Sequence, residues 1–182
     1  MSITELAPAK LNLTLDVGAR RPDGYHEITS VMQSAALYDV VTLETVETDG
    51  IVVECPGTDL PTGPDNLAWK AADVFFQETN IPCTGIIIRL EKKIPSQAGL
   101  GGGSSDAAAV LRGMRRLFSI NVSDEALETM AARVGSDVPY CVRGGTALAR
   151  GRGERLTALS PLPMCWFVIV KPPVAHSTAV MF

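Results

Sequence analysis

The chain opens on a period of two. Leu11, Leu13, Leu15 and Val17 alternate with Lys10, Asn12, Thr14 and Asp16, the pattern of a half-buried strand with Lys10 and Asn12 on its polar face. Arg21-Pro22-Asp23-Gly24 is a turn signal that presents Tyr25 and His26 just beyond it. Further strands are expected within Val40 to Val46 and at Ile51 to Cys55, and the Gly, Pro and Asp of Pro56 to Asn66 mark a loop. A helix should follow from about Leu67 to Glu78, with Leu67, Ala71, Val74 and Phe75 in one stripe and Asp65 or Asn66 as its cap. Ile86, Ile87, Ile88 and Leu90 read as a strand that ends before Pro95. A second helix begins near Ser105 and sets Ala107, Leu111, Met114 and Phe118 opposite Arg112, Arg115 and Arg116. Ser123 caps a third helix carrying Leu127, Met130, Ala131 and Val134, and Gly135 ends it. Short strands flank turns at Gly144-Gly145 and Gly151-Arg152-Gly153, and Trp166 to Val170 reads as a final strand. The sum is α+β, with helices packed on a mostly antiparallel or mixed sheet.

Composition narrows the function. The 182 residues are 46% hydrophobic and 20% charged, enough for one domain with a real core. A net charge of −4 argues against a nucleic-acid partner, which needs a broad basic surface. Cys55, Cys83, Cys141 and Cys165 form no CxxC pair, and His26 and His176 stand apart from them. No metal ligand is therefore assigned, and the thiols suit a reduced, cytoplasmic protein. The sequence contains neither a membrane-length apolar run nor the start of a signal peptide, so no membrane partner is expected. Trp69 and Trp166 read as packing residues.

The most informative segment is Pro95-Ser96-Gln97-Ala98-Gly99-Leu100-Gly101-Gly102-Gly103-Ser104-Ser105-Asp106. Its glycines remove the Cβ atoms that would hold a ligand off the backbone, so consecutive amides can converge on an anion. The helix that follows adds unpaired amides and the positive end of its dipole. Ser104 and Ser105 offer hydroxyl donors, and Lys92 and Lys93 lie just upstream. A flexible, serine-capped turn is the plainer reading, but the strand and amphipathic helix on either side favour an anion site. A Rossmann fingerprint fits poorly, because Lys92 to Ala98 separate strand from glycines. A Walker loop fails for want of Gly-Lys-Ser/Thr. Asp137, in Gly135-Ser136-Asp137-Val138-Pro139, either caps a turn of helix or presents a carboxylate; the residues alone leave both open.

Pro95 to Ala109 resembles the second motif of the GHMP kinases. Ala7-Pro8-Ala9-Lys10-Leu11-Asn12-Leu13, Arg21-Pro22-Asp23-Gly24-Tyr25-His26 and Gly135 to Pro139 extend the resemblance, in order, along the chain. Within that superfamily they are similar to the members that phosphorylate the 2-hydroxyl of cytidine-diphosphate-linked methylerythritol in the non-mevalonate isoprenoid pathway. The resemblance implies the GHMP-kinase N-terminal domain, a fold like domain 2 of ribosomal protein S5, over residues 1–170. Residues 171–182 would then begin a connection to a C-terminal domain that the sequence lacks, and the chain reads as truncated. It implies ATP and Mg2+ as cofactors, CDP-methylerythritol as substrate, and leaves a homodimer open.

The same resemblance assigns roles. Asp137 and Lys10 would be catalytic. Pro95 to Ser105, with Asn66 and Lys92, would hold ATP, whereas Lys93 reads as solvated. Asn12 would bind the methylerythritol hydroxyls, Tyr25 would stack on cytosine, His26 would read its polar edge, and Phe182 would close the other side. Rival readings are another GHMP kinase, for homoserine or phosphomevalonate, which needs no Tyr25-His26 pocket; an RNA-binding module on the same fold; and an inactive nucleotide-binding fragment.

Overall fold

The computed structural model describes residues 1–83 and 85–171. Strands β1 (Ser2–Arg20) and β2 (His26–Thr45) form one long antiparallel ribbon, closed by the expected turn at Arg21–Tyr25. β2 is the central strand. One edge carries β1 along its whole length; the other carries β4 (Ile86–Glu91) beside Val40–Thr45 and β5 (Thr146–Gly151) beside Ile28–Gln33. β3 (Ile51–Glu54) runs parallel to β4, and β6 (Arg155–Ala158) antiparallel to β5, so the sheet is mixed.

The alternation at the start of the chain does not place the side chains as it suggests. The ladder shifts register between Asn12, opposite Met32, and Thr14, opposite Val31, so Leu13 is left without a partner. One extra residue flips the parity of everything beyond it. Opposed residues share a face, so Lys10, Asn12, Leu15 and Val17 lie on the face of Ser34, Met32, Ser30 and Ile28. That is the inner face, where Met32 and Ser30 are fully buried. Lys10 therefore points inward and is only 7% exposed, whereas Leu15 and Val17, beyond the helices' reach, are 42% and 47% exposed. The strand expected at Val40 to Val46 is the last part of β2. Its earlier half was hidden by Ser30, Gln33 and Ser34, whose polar groups bond to Thr14, Thr146 and Tyr140 rather than to solvent.

The helices α1 (Leu67–Thr79), α2 (Gly102–Leu117), α3 (Asp124–Val134) and the six-residue α4 (Val138–Arg143) cover this face. Phe75, Leu111, Met114, Leu127 and Tyr140 pack there on Leu43, Ile86 and Ile88 of the sheet, all buried. Asn66 and Ser123 cap α1 and α3 as expected, through their side chains to Ala68 N and Ala126 N. α2 starts at Gly102, three residues before the predicted Ser105, because glycine's poor helix propensity masks the first turn. Trp69 packs on the core and donates its indole N–H to the Ile51 carbonyl. Trp166 does not pack: it is 94% exposed, and Trp166 to Val170 forms no ladder, so the predicted final strand is absent.

Candidate active site

The glycine loop connects β4 to α2 and folds back on β1. Leu100, buried, accepts the Lys10 amide through its carbonyl at 2.9 Å. Gly101 takes φ of 66° and is the N-cap of α2, with no side chain to offer the helix. The amides of Gly102, Gly103 and Ser104 therefore have no intrahelical partner, and no acidic residue stands in the first turn. A helix start of this kind can accept an anion. Pro95, Ser96, Gln97, Gly99 and Gly103 are exposed, Ala98 half-buried. Ser105 is turned away from it: fully buried, its hydroxyl donates to the Pro8 carbonyl at 2.7 Å, tying α2 to β1.

Two lysines flank consecutive glycines of this loop. A Cβ on Gly101 would lie 2.6 Å from Lys10 Cγ, and one on Gly102 would lie 3.4 Å from Lys92 Nζ. The Lys10 ammonium reaches Asp137 Oδ2 at 3.2 Å and donates to Asn12 Oδ1 at 2.6 Å. Asn12 Nδ2 in turn donates to Ser30 Oγ at 2.7 Å, and Ser30 Oγ to the Thr14 carbonyl at 2.6 Å. Asp137 occupies the N-cap position of α4 but makes no side-chain cap hydrogen bond. Of the two readings of this residue, its carboxylate faces the lysine and the helix is left uncapped. Cys141, one turn further along α4, is buried, and burial pushes its thiol up to about 12.

Lys92 is held from behind. Its ammonium donates to Asp39 Oδ2 and Asp106 Oδ2, both on nearly inaccessible side chains, and Asp39 Oδ1 also accepts the Lys93 and Ile94 amides. Burial works against the lysine's charge, but Asp106 and Asp39 outweigh it and keep its pKa above the ordinary value. Burial pushes Asp106 up to about 7 despite the pull of Lys92. Its Oδ1 is buried without a hydrogen-bond partner among the described residues. Asn66 has both polar atoms engaged within its own segment, Oδ1 with Ala68 N and Nδ2 with the Pro61 carbonyl.

Tyr25 and His26 sit at the far end of the ribbon. Tyr25 is 50% exposed, and the Arg152 guanidinium lies 4.9 Å from its ring centroid. His26 Nδ1 is 3.0 Å from the Gly18 carbonyl, which can only accept. Nδ1 is thus the protonated nitrogen, and in the neutral ring Nε2 is left as an acceptor. The structure brings Lys10, Asn12, Asp137 and the loop together and sets Tyr25 and His26 apart from them; Phe182 lies outside the described residues. The sequence reading missed Asp39, Asp106, Ser30 and Arg152. Only Asp106, adjoining the glycine-serine run, had a local signal. A cleft of about 460 Å³ between α1 and α3, lined by Glu78, Ile120, Met130 and Arg133, contains none of these residues.

Residues 66–145 match the family model described as GHMP kinases N terminal domain. The chain is 51% identical over 174 residues to the 4-diphosphocytidyl-2-C-methyl-D-erythritol kinase of Heliobacterium modesticaldum, covering 95% of this chain and 55% of that one. It is 46% identical to the kinase of the same name from Bacillus subtilis, over 100% of this chain and 63% of that protein. The chain thus spans 55% and 63% of these two relatives' length. A crystal structure of 4-(cytidine 5'-diphospho)-2C-methyl-D-erythritol kinase superposes with a TM-score of 0.73 at 43% identity, covering 88% of this chain and 56% of that one. Homoserine kinase from Cytophaga hutchinsonii shares the fold, with a TM-score of 0.72 at 22% identity.

Proposed function

From the premise that this chain carries a GHMP kinase N-terminal domain, we propose that it transfers the γ-phosphoryl group of ATP to the 2-hydroxyl of 4-diphosphocytidyl-2-C-methyl-D-erythritol, a cytoplasmic step of the non-mevalonate isoprenoid pathway. The observation that carries this reading is the Lys10–Asp137 pair, 3.2 Å apart, with Lys10 packed against Gly101 at the start of α2. The triphosphate would rest on the Pro95 to Ser104 loop and the amides of Gly102 to Ser104, with Lys92 beneath. The acceptor hydroxyl would sit between Asp137 and the γ-phosphate, positioned by Asn12.

Phosphoryl transfer needs alignment and charge compensation more than covalent help. Asp137 accepts the 2-hydroxyl proton as that oxygen bonds to the γ-phosphorus, and the bond from that phosphorus to the β–γ bridging oxygen breaks, releasing ADP. Lys10 holds the carboxylate in an ion pair and offsets negative charge on the transferring group. Among the described residues no three His, Cys, Asp or Glu side chains could cage a metal ion. A Mg2+ would arrive on the triphosphate, where it would neutralise phosphate charge. Similarity to relatives that carry the cytidine-linked substrate in their name favours Tyr25 and His26 as the base pocket.

The test is ADP release with CDP-methylerythritol, homoserine and phosphomevalonate, run on this chain and on a version extended to its relatives' length. Turnover with the cytidine substrate alone is expected. Comparable turnover of homoserine or phosphomevalonate would remove the substrate assignment, and none with any acceptor would remove the kinase.

A further inference from the structure

The turn between β5 and β6 touches both ends of the site. Its Gly153 takes φ of 117°, and a Cβ there would stand 3.6 Å from Asp137 Oδ1 and 3.5 Å from the Ser136 carbonyl. Its Arg152, the preceding residue, lays its guanidinium over the ring of Tyr25. Adjacent Cα atoms are about 3.8 Å apart, so one tight turn spans the gap between the base pocket and the catalytic carboxylate. Nothing in the proposed chemistry so far uses it.

Arg152 differs from Arg21 and Arg155 beside it. Arg21 is paired with Asp23 and Glu27, and Arg155 with Glu27. Glu154, two residues on, accepts the Arg152 backbone amide at 2.6 Å, not its side chain. Among the described residues the guanidinium meets no carboxylate within ion-pair distance and donates no hydrogen bond. Stacking on an aromatic face fixes a cation in place without neutralising it, and leaves the in-plane N–H donors at its edges available.

In the function proposed above, on which this inference rests, cytosine lies at Tyr25 and His26 while the acceptor hydroxyl lies at Lys10 and Asp137. The part of the substrate between them is a ribose and a diphosphate, and of these the diphosphate carries the charge. A planar fork of donors is the side chain best matched to phosphate oxygens. We propose that Arg152 binds this diphosphate, so that the site selects a nucleoside-diphosphate-linked alcohol over a bare nucleoside or a small free alcohol. With Arg152 on one face of Tyr25, the base is left the other.

Calorimetry with cytidine and with CDP, on the wild type, Arg152→Ala and Arg152→Lys, tests this. The wild type should prefer CDP, and Arg152→Ala should weaken CDP by about tenfold to a hundredfold, the range of charge-assisted hydrogen bonds, while cytidine stays within about twofold. Arg152→Lys should restore part of the loss, because it keeps the charge without the fork. An unchanged CDP-to-cytidine ratio in Arg152→Ala would overturn the diphosphate role and leave the kinase reading standing. Equal weakening of both ligands would show that Arg152 only braces Tyr25, and would also overturn it. A wild type that binds neither ligand would remove the substrate reading and this inference together.

Discussion

Gly101 and Lys10 are in contact along the lysine's stem: the site where a Cβ on Gly101 would stand is 2.6 Å from Lys10 Cγ and 3.2 Å from its Cε. Gly101 also sits at φ of 66°, a left-handed conformation that costs other residues about 1–2 kcal/mol. Gly101→Ala should therefore push Lys10 off Asp137. Displacements of this kind cost roughly 10²-fold in rate, so a steep fall in kcat with a modest drop in melting temperature is expected. Wild-type kcat in this variant would show the contact to be slack.

Asp137→Asn should keep nucleotide affinity and lose turnover by roughly 10²–10⁴-fold, the usual worth of a positioned base. Because Asp137 makes no side-chain cap bond to α4, the variant removes no helix cap. Steady-state kinetics beside calorimetric ATP binding checks this, and near-normal kcat would assign the carboxylate a purely structural place.

Ser105→Ala acts on stability rather than on ATP. The Ser105 hydroxyl serves the half-buried Pro8 carbonyl, and losing such a hydrogen bond costs about 0.5–1.5 kcal/mol. Urea unfolding should show that loss. A large fall in ATP affinity with unchanged stability would mean that the hydroxyl turns toward the ligand.

Asp106 gives a pH signature. Its folded pKa, about 7, lies above the ordinary 3.8, so between those values the folded state holds a proton that the unfolded state has released. Stability from this group should thus be greatest at low pH and fall as pH rises toward about 7, after which the penalty is complete. Asp106→Asn removes the titration. The difference in unfolding free energy between variant and wild type should move in the variant's favour from pH 5 to pH 8. A pH-independent difference would show that Asp106 is ionised throughout.

In the proposed function, His26 would select the base. With Nδ1 on the Gly18 carbonyl, Nε2 of the neutral ring is an acceptor, suited to the exocyclic amine of cytosine and not to the carbonyl of uracil. Cytidine should outcompete uridine in the wild type and lose that advantage in His26→Ala, with ATP unaffected. Equal loss of ATP binding would indicate a disturbed ribbon instead.

Much of this was legible in the sequence because it is local. Turn chemistry at Arg21 to Gly24, caps at Asn66 and Ser123, and the apolar stripes of α1, α2 and α3 each depend on neighbours along the chain. The Lys10–Asp137 pair came from motifs, since 127 positions of separation leave no periodic trace. What escaped depends on register and burial. The unpaired Leu13 reversed the expected faces of β1. Asp39 reads as one more polar residue before an apolar run, and only the fold brings it to Lys92. Trp166 looked like core by hydrophobicity alone, yet no strand receives it among the described residues.

The bonds running from Lys10 through Asn12 and Ser30 to Thr14 have a direction. Each donor points away from the lysine, so each dipole turns its negative end back toward the ammonium. In the proposed reaction Asp137 becomes neutral when it accepts the hydroxyl proton, and an ammonium held by that carboxylate alone would be left unsupported at the moment when charge gathers on the phosphoryl group. The aligned dipoles do not titrate. They sustain the lysine from its other side throughout, so the positive charge at Lys10 outlasts the negative charge of its partner.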